Sequence, residues 1–236
     1  MNNYKNNKNN KNNKNNKNKL YYNSPSNIIF LDFETTGLQI DTLKVIEVAF
    51  NSLFIGDKGY CDLIKINECI PPFITQITNI TDDMLNNNGK DEKTVVYNIY
   101  NYITNIHNII GFINPLYFIA HNGERFDFKI LINLLNKYDF HINKKWIFMD
   151  TIQLSRKLND YNGHSMAKLC EKYNINNYDA HRAMGDVLTL MDIYVLLSND
   201  ICRKNNYNIY TDRCNVINRI IKTLDFPEYL INFLNS

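Results

Sequence analysis

No stretch of this 236-residue chain reaches the ~18 consecutive apolar residues that a membrane-spanning helix needs. The amino terminus lacks the apolar core of a signal peptide, and its Asn-Lys repeat has none of the arginine or amphipathic pattern of a mitochondrial presequence. The five cysteines, Cys61, Cys69, Cys170, Cys202 and Cys214, form no CxxC pair and no zinc-ligand spacing. That removes the disulfide-framework and zinc-finger classes and predicts free thiols in a reducing compartment. Nucleus or cytoplasm is the expected location, with no membrane partner. Proline-rich segments are missing as well, since Pro71-Pro72 is an isolated dipeptide, and no apolar anchor follows Ser198.

Acidic residues are absent from one region only. Residues 1–19 hold six of the 26 basic residues and no acid, leaving 20 basic against 24 acidic residues in the remainder, a balance of −4. The tail, residues 1–24, runs as Asn-Asn-Lys triplets with almost nothing to bury, so order there could not offset its own conformational entropy. Disorder is expected for it. The remaining residues, 25–236, read as one domain with a motif-bearing core over 27–198 and a helical extension over 199–236. Because this domain is mildly acidic, nucleic acid would have to be handled through metal ions and local basic groups rather than a global positive field.

Apolar content of 44% supports one sizeable core. Strands are predicted over 28–31, 44–55 and 60–66, the last two joined by a hairpin turn at Gly56-Asp57-Lys58-Gly59, which gives a three-stranded antiparallel unit. Thr81-Asp82-Asp83-Met84 reads as a capped helix start, and 94–110 carries apolar residues at helical spacing. Further strands over 116–120 and 146–149 alternate with helices over 126–138, 151–158, 165–173 and 183–198. A meander followed by alternating helices and strands predicts an α/β domain with a mixed sheet covered on both faces.

Chemistry concentrates where the first strand ends. In Leu31-Asp32-Phe33-Glu34-Thr35-Thr36-Gly37-Leu38, a strand would project Asp32 and Glu34 from one face while Phe33 points to the other. Two like charges that close repel unless a shared proton or a cation neutralises them, and ionised carboxylates suit Mg²⁺ or Mn²⁺. Asp127 stands at the start of the helix after the fourth strand, beside strand ends where sites gather. Asp186 lies five residues after His181. Five helical residues turn about 140° net, so the two would not share a helix face, and His181 is placed in the loop leading into that helix.

Together, Asp32-x-Glu34, Asp127 after His121-Asn122, and His181-x-x-x-x-Asp186 resemble the three motifs of the DEDDh (DnaQ-like) 3′→5′ exonucleases, which have a ribonuclease H-like fold. The wording Ala120-His121-Asn122-Gly123-Glu124-Arg125-Phe126-Asp127-Phe128 and Gly185-Asp186-Val187-Leu188 is closest to the three prime repair exonucleases. Asp150-Thr151 and Gly163-His164-Ser165-Met166 are also similar to family segments. The resemblance covers about residues 27–198.

The resemblance implies a five-stranded mixed sheet flanked by helices and two Mg²⁺ or Mn²⁺ ions. Asp32, Glu34 and Asp186 would hold the first ion, Asp32 and Asp127 would help place the second, and His181 would take a proton from the attacking water. Thr35, Thr36, Gly37 and Leu38 would seat the 3′-terminal nucleotide, Asn122 would make a polar contact to it, and Arg125 would meet a phosphate. The substrate would be a single strand or 3′ end, DNA favoured over RNA, with nucleoside 5′-monophosphate as product. Homodimers occur in the subgroup, although nothing in these residues requires one.

Three rival readings remain. RNA-directed DEDDh enzymes share the same motifs. Asp32-Phe33-Glu34-Thr35-Thr36 is also similar to the Asp-x-Asp-x-Thr nucleophile of haloacid dehalogenase-like phosphatases, but Glu34 replaces the second aspartate and His121, Asp127 and His181 are left without a role. A nucleic-acid-binding module without catalysis would need a missing catalytic group, and all five are present.

Overall fold

The computed structural model describes residues 26–53, 57–158, 163–177 and 179–206. Five strands form one sheet: β1 (Ile28–Thr35), β2 (Val45–Ser52), β3 (Tyr60–Leu63), β4 (Leu116–Ala120) and β5 (Trp146–Asp150). Their order is β3-β2-β1-β4-β5, with β2 antiparallel to β1 and β3, and β4 parallel to both β1 and β5. The antiparallel unit and the mixed sheet are as the sequence predicts.

Alternation along β1 divides the interior in two. Ile28 and Phe30 enter one core with residues of α5 (Thr151–Leu158), α6 (Met166–Tyr173) and α7 (Ala183–Lys204). Ile29, Leu31 and Phe33 enter the other, with α3 (Glu92–Ile110) and α4 (Asp127–Lys137). Burial of each such side chain contributes about 1.5–3 kcal/mol. Phe30 meets Tyr194 of α7 edge to face, with centroids 5.4 Å apart. Asp32 and Glu34 continue the Phe30 row, so the sheet face covered by α7 is the face that carries the acids.

Several boundaries differ from expectation for local reasons. Strand β2 stops at Ser52, whose N–H meets Asn51 Oδ1 at 2.8 Å and Asp57 Oδ2 at 3.2 Å. Residues 54–56 of the predicted hairpin lie outside the described residues, but Gly59 has φ +68°, and a Cβ there would come within 2.6 Å of the Phe50 carbonyl. Strand β3 ends at Leu63 because the segment after α2 (Asp82–Asn88) takes over its edge, with Lys90 N–H bonding the Leu63 carbonyl at 3.0 Å. Helix α1 (Pro72–Thr78) is absent from the sequence reading, which notes Pro71-Pro72 only as an isolated dipeptide. Pro72 instead opens the helix, where its missing N–H costs nothing.

Helix α2 begins as expected, with Thr81 accepting from Met84 N–H at 3.2 Å. Helix α3 starts two residues early because Asp91 caps it, accepting from Thr94 N–H at 2.9 Å. Helix α7 runs six residues past Ser198, since Ile201 and Cys202 prolong its buried stripe. The rest of the expected helical extension, 207–236, and the amino-terminal tail lie outside the described residues. Cys61, Cys69, Cys170 and Cys202 are free thiols, and Cys214 lies outside the described residues. No helix among the described residues is long and apolar enough to cross a membrane.

Candidate active site

Asp32 and Glu34 leave β1 where its pairing with β4 has already ended at Phe30 opposite Ile119. Asp186, in the first turn of α7, is brought to them because Ala183 and Val187 bury that helix against the sheet. One oxygen from each of Asp32, Glu34 and Asp186 falls within 4.8 Å of the others, and all three side chains are half-buried. Three carboxylates and no sulfur or imidazole make a hard donor set of the kind that holds Mg²⁺ or Mn²⁺.

Asp127 closes the site from the other side. It is the first residue of α4, 3% exposed, and its Oδ1 accepts from Phe33 N–H at 3.2 Å, replacing the strand partner that β4 no longer provides. It lies outside the three-oxygen group.

The electrostatics are those of acids crowded away from water. Burial, then the charges of Asp127, Glu34, Asp186 and Glu47, hold the Asp32 carboxyl well above the ordinary range. Burial, then Asp186, Glu47 and Asp127, pushes Glu34 to about 8, against the pull of Arg182. Burial likewise raises Asp127 to about 7, opposed by hydrogen bonds from backbone N–H groups including that of Phe33. Asp186 is raised by burial and drawn back by the His181 N–H and by the nearby imidazole of His181. A divalent cation would relieve this repulsion, so the residues present fit one.

His181 sits in the turn before α7, as its spacing predicts. It is exposed, has φ +65°, and donates its backbone N–H to Asp186 Oδ2 at 3.0 Å.

The segment after β1 is tied by its own hydroxyls. Thr35 Oγ1 donates to the Gly37 carbonyl at 2.7 Å, and Thr36 Oγ1 accepts from Lys44 N–H at 2.9 Å. These two side chains therefore shape the loop. A β-bulge between Glu34 and Thr35 turns the chain out of register there. A Cβ on Gly37 would meet nothing within 4 Å, so the space beside it is open. Leu38 is 84% exposed, which rules out a core role for it.

Asn122 and Arg125 are exposed on the loop between β4 and α4. That loop hangs on a residue whose role the sequence reading missed. Asp150, 2% exposed at the end of β5, accepts from Asn122 N–H at 3.0 Å, Ile152 N–H at 2.8 Å and Glu124 N–H at 3.3 Å. Asn122 itself is held at φ +65°. His121 is structural in the same region: it bonds Thr151 Oγ1 at 2.9 Å, and burial lowers its pKa to about 4, leaving it neutral. Glu47, a second missed acid, stands opposite Glu34 on β2 and is bound by Arg182. The signal for it was a lone carboxylate inside the apolar run Val45-Ile46-Glu47-Val48-Ala49-Phe50.

Compared with known proteins, residues 29–194, which include every candidate acid and His181, match the family described as Exonuclease. This chain belongs to the exonuclease family. Among the exonuclease relatives, a PolC-type DNA polymerase III of Ureaplasma parvum is 30% identical over 73% of this chain and 12% of its own length. The Arabidopsis thaliana exonuclease DPD1, chloroplastic/mitochondrial, is 29% identical over 74% of this chain and 57% of its own. The DNA polymerase III epsilon subunit of Buchnera aphidicola is 29% identical over 75% of this chain and 76% of its own. The chain thus spans about an eighth of the PolC-type relative and over half of the Arabidopsis one. Escherichia coli exonuclease I, solved with a dT13 oligonucleotide, superposes with a TM-score of 0.64 at 20% identity, over 79% of this chain and 44% of that one. That likeness shows the ribonuclease H-like exonuclease fold.

Proposed function

We propose that this chain is a divalent-metal-dependent 3′→5′ exonuclease that removes nucleoside 5′-monophosphates from single-stranded or frayed 3′ ends, with DNA favoured over RNA. The observation that carries this reading is the convergence of Asp32, Glu34 and Asp186, with His181 held beside Asp186. Residues 25–236 form the exonuclease domain, and the tail 1–24 lies outside it.

Asp32, Glu34 and Asp186 would hold one divalent cation, and Asp32 with Asp127 a second. When bound, such ions lower the pKa of a water and offset charge developing on a phosphate. His181 takes the proton of the attacking water on its imidazole, which is exposed to solvent. Leu38 packs on the terminal base, and the open space beside Gly37 admits the sugar and phosphate. Asn122 and Arg125, presented by the Asp150-anchored loop, meet the phosphate backbone from the other side. DNA is favoured because named relatives are DNA polymerase III components and the wording at 122–128 leans the same way.

Matched DNA and RNA oligonucleotides labelled at the 5′ end test this reading. With Mn²⁺ or Mg²⁺, DNA is expected to shorten from its 3′ end faster than RNA, and EDTA to abolish the reaction. Faster loss of RNA would transfer the reading to exoribonucleases, and full activity in EDTA would end it.

A further inference from the structure

Glu47 is a carboxylate in the middle of a strand whose eight residues are all buried. It is 2% exposed and faces Glu34 directly across the β1–β2 register. Like charges in that arrangement repel, and an unpaired buried carboxylate is strongly disfavoured. The charge is met from the start of α7. Arg182 Nε lies 3.2 and 3.0 Å from the two Glu47 oxygens, Arg182 Nη2 bonds Oε1 as well, and Ala183 N–H donates to Oε2 at 2.9 Å. Such a two-pronged guanidinium contact fixes direction as well as distance.

The turn that this contact closes is one that backbone sterics disfavour. Asp179 and His181 have φ of +35° and +65°. A non-glycine residue in the left-handed region is sterically disfavoured and persists only where its surroundings hold it. Hydrogen bonds within the turn and helix start include Arg182 N–H to the Asp179 carbonyl at 3.0 Å and His181 N–H to Asp186 Oδ2 at 3.0 Å. The second engages a carboxylate that the proposed reaction assigns to a cation. The Glu47 contact involves none of the assigned metal ligands, so it can hold the turn whatever Asp186 binds.

We propose that Glu47 and Arg182 are positioning residues, a buried ion pair between β2 and the start of α7 that holds His181 beside Asp186. This rests on the assignment of His181 as the base of the proposed reaction.

The test uses the full chain with Mn²⁺ and a 5′-labelled oligonucleotide. Arg182→Gln is expected to lower kcat about 10- to 100-fold, the scale of a catalytic group displaced by about 1 Å, with KM within twofold of wild type. In a His181→Ala background the same substitution is expected to change kcat less than twofold, because the group it positions is already gone. Hydrogen exchange, read independently of activity, should quicken at residues 179–183 and stay unchanged in β1 and β5. If Arg182→Gln does not fold, the charge-neutral Glu47→Gln, Arg182→Gln pair leaves no orphan charge and is expected to give the same results. Equal losses in both backgrounds, a raised KM with unchanged kcat, or unchanged exchange at 179–183 would overturn the proposal. Should the wild type not shorten oligonucleotides at all, the proposed reaction fails and exchange alone decides whether the clamp stands.

Discussion

Metal binding at the acid cluster is expected to expel protons, and the number follows from the crowding. In the metal-free chain Glu34 titrates at about 8 and Asp127 at about 7, while Asp32 and Asp186 are raised as well. At pH 7 a group with a pKa of about 8 is about nine-tenths protonated. A cation held by Asp32, Glu34 and Asp186 needs all three ionised, so the first ion displaces about 0.9 proton from Glu34. Release of at least about 0.9 proton per first ion is expected at pH 7, with the Glu34 share nearly gone by pH 9.5. Affinity should rise about tenfold per pH unit for each proton displaced. Calorimetric titration with Mn²⁺ in two buffers of different ionisation enthalpy reads the proton count directly. Glu34→Gln should lower it by about 0.9. Release below about 0.3 proton at pH 7, or an affinity flat between pH 6 and 8, would refute the claim that crowding keeps these acids protonated without metal.

Three further outcomes follow from the same contacts. Because Glu34 and Asp127 titrate well above their ordinary 4.5 and 3.8, the folded chain holds extra protons between about pH 4 and 8. In EDTA its melting temperature should therefore fall as pH rises through that window, and saturating Mn²⁺ should flatten the fall; a rise from pH 5 to 8 would contradict this. Phe30→Ala removes the ring packed on Tyr194 and should cost about 3–5 kcal/mol, or roughly 10 °C in Tm, by thermal melting. Asp150→Asn deprives the β4–α4 loop of one N–H acceptor and should destabilise by about 1–3 kcal/mol while raising KM for oligonucleotides. An unchanged KM would mean that the loop does not touch substrate.

The sequence made legible what is local or periodic. The apolar run before Asp32 marks β1, and alternation alone puts Asp32 and Glu34 on one face. The five-residue offset between His181 and Asp186 excludes a shared helix face, and the turn at φ +65° is where that reasoning places the histidine. What escaped depends on contacts distant in the chain. Glu47 gains its meaning from Arg182, 135 residues away, and Asp150 from N–H groups 28 and 26 residues before it. Thr35 and Thr36 read as part of the seat for the terminal nucleotide, yet their hydroxyls are engaged two and eight residues along the chain, by Gly37 and Lys44. Helix α1 went unassigned because Pro71-Pro72 registers only as an isolated dipeptide, and proline that opens a helix is told from proline that breaks one only by the neighbouring geometry.

The central claim is that Asp32, Glu34, Asp127, Asp186 and His181 act as one hydrolytic site on a 3′ end. It is tested most directly by chromatography of the products released from a single-stranded DNA oligonucleotide by wild type, Asp186→Ala and His181→Ala in Mn²⁺. Nucleoside 5′-monophosphates should appear in order from the 3′ terminus with wild type. His181→Ala should be slowed by roughly 10²–10⁴-fold, the contribution of a general base, and Asp186→Ala should be nearly inactive. Internal fragments, or monophosphates released by Asp186→Ala at the wild-type rate, would contradict the account.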